Sequence, residues 1–96
     1  MLDRKAVLDR LTAHAAKLRA MGAVWLGLFG SLARDAATPQ SNIDILVDLD
    51  QHSFDRYMDL KLRLEDLLGQ RVDLVLRDSL KPRIRDAVLR EVIRAA

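Results

Sequence analysis

The residue types able to do chemistry stand in three places: Gly30-Ser31, Asn42 with Asp44, and Asp73. Gly30-Ser31 follows the apolar run Ala23 to Phe29. A glycine there lets a ligand approach the backbone closely, and a helix start offers unpaired N–H groups and a positive dipole end. With the Ser31 hydroxyl as a further donor, the arrangement suits a phosphate. It also suits an ordinary turn and cap. Arg34, one turn later, can reach the same anion or pair with Asp35 or Asp44.

Asn42 and Asp44 hold alternate positions in Asn42 to Leu49, so their side chains leave the same strand face about 6–7 Å apart. Hard divalent cations take oxygen ligands, typically one or two carboxylates together with substrate phosphates and water. Asp73 lies within Arg71-Val72-Asp73-Leu74-Val75-Leu76. A carboxylate among aliphatic residues costs free energy unless it is paired, exposed or metal-bound. If the two strands are neighbours, Asp73 stands beside Asp44, and a cation removes their mutual repulsion. Asp48 shares the face of Asn42 but lies roughly 13 Å along the strand, too far to replace it.

These residues need a frame. Leu2 to Met21 repeats apolar residues at helical spacing, with Gly22 to stop the helix. Ala23 to Phe29 reads as a strand buried on both faces. Leu32 to Ala36 reads as a short helix opened by Ser31, and Ala37 to Ser41 as a turn. Asn42 to Leu49 alternates as a half-polar strand. Ser53 is placed to cap a helix from Phe54 to Leu68, ended by Gly69, with Phe54, Tyr57 and Met58 as core. Arg71 to Leu76 is a third strand. A last helix runs to about Arg94, with Pro82 in its first turn and Ile84, Val88 and Val92 as its buried stripe. The expected frame is a three-stranded sheet covered by helices, one domain over residues 1–96.

Composition narrows the function. The chain has 96 residues, 50% hydrophobic and 31% charged, with no cysteine. Disulfides, thiolate metal sites and cysteine nucleophiles are therefore excluded, and a reduced cytoplasm is the expected setting. His14 and His52 stand too far apart in the sequence to suggest a zinc site, and each reads as a surface or packing residue. The longest apolar run is far short of a membrane span, and Met1 to Arg10 has no signal-peptide core. Net charge is +2, but residues 35–76 hold nine acidic and four basic groups between two basic ends. An acidic middle suits a cation site or a partner surface better than a nucleic-acid backbone. No motif for direct DNA contact is present. Ser31 lacks a nucleophile-elbow motif, and Gly27-Leu28-Phe29-Gly30 lacks the spacing of a dinucleotide fingerprint.

The joint pattern resembles the minimal nucleotidyltransferases (MNT) of the DNA polymerase β superfamily: Gly-Ser, a spacer, Asp-x-Asp on a strand, then a third Asp on a later strand. Leu28-Phe29-Gly30-Ser31-Leu32-Ala33-Arg34 and Ser41-Asn42-Ile43-Asp44-Ile45-Leu46-Val47 look like that family's signature stretches, and Arg71 to Leu76 followed by Leu80-Lys81-Pro82 looks like its C-terminal part. The resemblance implies an α+β nucleotidyltransferase fold in the order α-β-α-β-α-β-α, with a mixed sheet. It implies two-metal, Mg²⁺-dependent transfer from ATP, with Gly30, Ser31 and Arg34 at the phosphates, Asp44 bridging the metals and Asp73 activating the acceptor hydroxyl. Minimal members are commonly antitoxins of HEPN-domain toxins, in hetero-oligomeric complexes, and transfer AMP to a toxin tyrosine. A chain of this size implies an acceptor brought by a partner. Asn42 departs from the pattern: an amide oxygen can ligate but carries no charge. It fits a degenerate site, a weak one or an introduced change. The alternative function is an antitoxin that neutralises its toxin by binding alone.

Overall fold

A computed structural model describes residues 2–96. Helices α1 (Arg4–Ala13) and α2 (Ala15–Ala20) lead into strand β1 (Ala23–Phe29) and the single-turn helix α3 (Gly30–Ala33). Strand β2 (Ile43–Leu49), helix α4 (Phe54–Leu68) and strand β3 (Val72–Leu76) follow. A 3₁₀ turn (Arg77–Ser79), helix α5 (Pro82–Glu91) and the two-residue strand β4 (Ile93–Arg94) complete the order. The sheet runs β3-β2-β1-β4, with β2 and β3 parallel and both β1 pairings antiparallel.

The sheet has four strands rather than three. The expected last helix stops at Glu91, and Ile93 and Arg94 pair instead with Leu28 and Gly27. Two residues of β4 carry too little periodicity to stand out from a helical reading. The first helix is likewise interrupted at His14, whose Nδ1 lies 2.9 Å from the Arg10 carbonyl oxygen. Ser31 does not open α3. Phe29 holds the cap position, the helix ends at Ala33, and Asp35 turns the chain away in the left-handed region at φ 59°.

One sheet face is the core. Leu26 and Leu28 of β1, Ile43, Ile45 and Val47 of β2, and Val72 and Leu74 of β3 are buried. They meet Val7, Leu11 and Leu18 of α1 and α2, and Leu60, Leu64 and Leu68 of α4. The i, i+4, i+8 spacing of the α4 leucines is the stripe that seats that helix. Ser53 caps it by accepting from the Arg56 N–H at 3.1 Å. Tyr57 is partly buried and donates to the Leu74 carbonyl at 2.6 Å, and Met58 is also half-buried. Phe54 is not core: it is 76% exposed, at the first residue of α4, before the buried stripe begins. The α5 stripe is also looser than expected. No residue of that helix is buried, and Ile84 is 46% exposed.

The opposite sheet face carries the polar residues. Pairing sets Phe29 opposite Asp44 and Trp25 opposite Asp48, while Asp44 is in register with Asp73.

Candidate active site

The end of β1 and the starts of β2 and β3 meet at one sheet margin. Strand pairing sets Phe29, Asp44 and Asp73 side by side on three adjacent strands, and Gly30, the first residue of α3, follows Phe29 directly. Alternation along β2 turns Asp44 to the non-core face, and the parallel register brings Asp73 beside it. Glu65 of α4 steadies this corner. Its carboxylate accepts from the Val72 N–H at 3.0 Å and from Lys61 Nζ at 3.1 Å, and these donors hold it below the usual carboxylate range.

Asp44 is half-buried and its pKa is pushed up to about 6. Desolvation by burial is the main cause, followed by the charge of Asp73 and a hydrogen bond shared with it. Glu91 raises it further, and Arg34 offsets part of the rise. Two carboxylates in register, one of them driven toward protonation, form a donor set that a divalent cation would relieve. No group of three or more His, Cys, Asp or Glu gathers into a metal cage among the described residues. Two carboxylates instead match the Mg²⁺ habit of completing its shell with water and substrate phosphate. Asn42 lies at the same margin, exposed, and donates from Nδ2 to Asp73 Oδ2 at 3.3 Å.

Gly30 is buried at φ 73°, and a Cβ there would strike the Asp44 carboxylate. Glycine is thus required both by conformation and by the approach of Asp44. Its N–H donates to Glu91 Oε1 at 3.0 Å. Arg34 pairs with neither Asp35 nor Asp44. Its Nη1 donates to both Glu91 oxygens, at 3.2 and 3.1 Å. Glu91 escaped the sequence reading because it lies 61 residues from Gly30 and arrives there only through β4. Ser31 sits half-exposed within α3. Asp48 lies outside the cluster, paired with Arg77 at 3.4 Å, and the Arg77 guanidinium lies 4.8 Å from the Trp25 ring centre.

A cleft of about 620 Å³ opens against Asp73 and Asn42, lined also by Lys61, Glu65, Gln70 and Arg71. Gly30 and Asp73 thus flank Asp44 from opposite sides, with the cleft on the Asp73 side. No helix among the described residues is long and apolar enough to cross a membrane.

Known proteins are similar to this chain in sequence and fold. Protein adenylyltransferase MntA of Thermococcus cleftensis is 44% identical over 95 residues, spanning 97% of this chain and 96% of its own length. A solved structure assigned as a minimal nucleotidyltransferase superposes with a TM-score of 0.84 at 40% identity, over 96% of this chain and 95% of that one. The fold is also that of one chain in the structure of the tri-AMPylated HEPN toxin of Shewanella oneidensis in complex with MNT antitoxin: TM-score 0.65 at 22% identity, over 93% of this chain and 71% of that one. The nucleotidyltransferase domain pattern matches residues 16–95, and the chain belongs to that family.

Proposed function

We propose that this chain is the antitoxin of a HEPN/MNT pair and transfers AMP from ATP to a tyrosine hydroxyl of its toxin. The observation that carries the reading is the register of Asp44 with Asp73, with Gly30 pressed against Asp44. The Thermococcus protein adenylyltransferase and the tri-AMPylated Shewanella toxin–antitoxin complex support the reaction class and the partner. The chain, residues 1–96, acts as one catalytic domain in a reduced cytoplasm, and the partner brings the acceptor.

Asp44 and Asp73 would hold Mg²⁺, with Asn42 Oδ1 as a neutral third oxygen. The ion supplies charge neutralisation for the attacking and leaving oxygens of an in-line displacement. Gly30 N–H, Ser31 and Arg34 bind the β- and γ-phosphates, which aims the α-phosphorus at the Asp73 side. The tyrosine enters through the cleft at Asp73 and Asn42. Asp73 accepts the hydroxyl proton, the oxygen bonds to the α-phosphorus, and the bond to the β-phosphate oxygen breaks. AMP stays on the tyrosine and pyrophosphate leaves.

A second reading rests on Asn42. Its amide meets Asp73 where the family pattern has a carboxylate, so the site carries one negative charge fewer. In that reading the fold neutralises the toxin by binding and transfers nothing. Labelled ATP separates the two. Transfer predicts that toxin incubated with this chain and Mg²⁺ retains label from the α-phosphate and none from the γ-phosphate. Binding alone predicts no label with the toxin still neutralised.

A further inference from the structure

We infer that Glu91 is a latch on the triphosphate subsite, occupying in the nucleotide-free chain the donors that phosphate must use, and released with β4 when nucleotide enters. This rests on the proposed nucleotidyl transfer, and extends it to how the site is kept closed. The Glu91 carboxylate accepts from the Gly30 N–H at 3.0 Å and from Arg34 at 3.1 and 3.2 Å. A carboxylate with two oxygens on a backbone N–H and a guanidinium reproduces the way those donors meet two phosphate oxygens. The single Gly30 N–H cannot serve both anions, and Arg34 Nη1 is already turned to Glu91. A triphosphate carried to Gly30 also meets the Glu91 charge at close range, so the two repel as well as compete.

The mounting of Glu91 is suited to release. It is the last residue of α5, a helix with no buried residue. Val92 follows and crosses β1 at Gly27, where a Cβ would come within 2.5 Å of Val92 Cγ2. The missing side chain at Gly27 therefore sets how closely the segment lies on the sheet, and so where Glu91 points. Beyond it, β4 holds by two register pairs, to Leu28 and Gly27, and residues 95–96 hold by the Ala95 N–H to the Leu26 carbonyl at 2.9 Å, the Leu26 N–H to the Ala96 carbonyl at 3.0 Å and the Thr12 hydroxyl to the Ala95 carbonyl at 3.1 Å. Short pairing at a sheet edge, under a helix with little buried surface, belongs to the part of a protein that opens at low free energy. Glu91 acts through Gly30 and Arg34, so it is a positioning residue and sets triphosphate affinity.

The test measures binding of a non-hydrolysable ATP analogue with Mg²⁺ by calorimetry, for the natural chain, Glu91→Gln and Glu91→Ala. Removing a competing charge from two charge-assisted donors predicts about tenfold tighter binding for both variants. Amide hydrogen exchange on the natural chain gives a readout that needs no variant: residues 91–96 exchange faster once the analogue is bound. Unchanged or weaker binding by folded variants overturns the latch, as does unchanged or slower exchange at 91–96 in the liganded chain. In both cases nucleotide binding itself still stands. If the natural chain and both variants bind no analogue, the nucleotide reading falls and the latch with it.

Discussion

Asn42 donates a hydrogen bond from Nδ2 to Asp73 Oδ2 at 3.3 Å, so an amide meets the β3 carboxylate where a third acidic group would repel it. The bond quiets the site without a metal. A carboxylate at position 42 would remove the donor and add a like charge.

Asn42→Asp therefore lowers stability of the metal-free protein by about 1 kcal/mol, from the lost hydrogen bond and added repulsion. Mg²⁺ reverses that loss, since a cation stabilises the folded form that binds it. Thermal melts with and without Mg²⁺ check both statements. Nucleotide transfer by this variant exceeds that of the natural chain by roughly tenfold or more, the effect expected of one further charged ligand at a hard cation.

Asp44 gives the site a pH signature. Its folded pKa of about 6 stands above that of an unfolded aspartate, so between roughly pH 4 and 6 the folded state binds more protons. Its stabilising contribution is full below the unfolded value and is lost as pH rises through the folded one. Asp44→Asn removes this loss. The metal-free variant is more stable than the natural chain at pH 7.5 by ~1 kcal/mol, discounted for solvent around a half-exposed pair, and the gap closes at pH 4. Melting curves at the two pH values check it. The same variant loses nucleotide transfer.

Gly30→Ala meets two penalties together. Its φ of 73° is unfavourable for a residue with a side chain, and the new Cβ strikes the Asp44 carboxylate. A cost of about 2–4 kcal/mol is expected from strain and overpacking, read from denaturant unfolding. Where the variant remains folded, analogue binding weakens, because Asp44 and the Gly30 N–H can no longer keep their relative positions.

Gly27→Ala tests the seat of the C-terminal segment. A Cβ at Gly27 meets Val92 Cγ2 at 2.5 Å and Trp25 Cη2 at 2.7 Å. The expected result is a loss of about 1–3 kcal/mol, with faster amide exchange at residues 91–96 as Val92 is pushed outward.

Some of this architecture was legible from local pattern and some was not. Asp44 could be placed on a strand face by alternation alone, and Asp73 beside it once the strands were taken as neighbours; the parallel register bears this out. Ser53 and Gly69 mark the ends of α4 through their own cap chemistry. Glu91 had no such signal. Its partners are Gly30 and Arg34, and only the pairing of β4 with β1 brings it to them. That pairing spans two residues, below the length at which a period of two can be distinguished from a helical one. Phe54 failed as core for a related reason. An aromatic residue at helical spacing shows amphipathicity, yet which turn of the helix lies over the sheet is decided by tertiary packing.

The most direct test of nucleotide transfer is the intact mass of the toxin partner after incubation with ATP, Mg²⁺ and this chain. The account predicts a gain of one or more AMP units, absent when Asp44→Asn replaces the natural chain. An unmodified toxin with both the natural chain and a folded Asn42→Asp variant, each still bound to and neutralising it, would contradict the account and leave the chain a binding antitoxin.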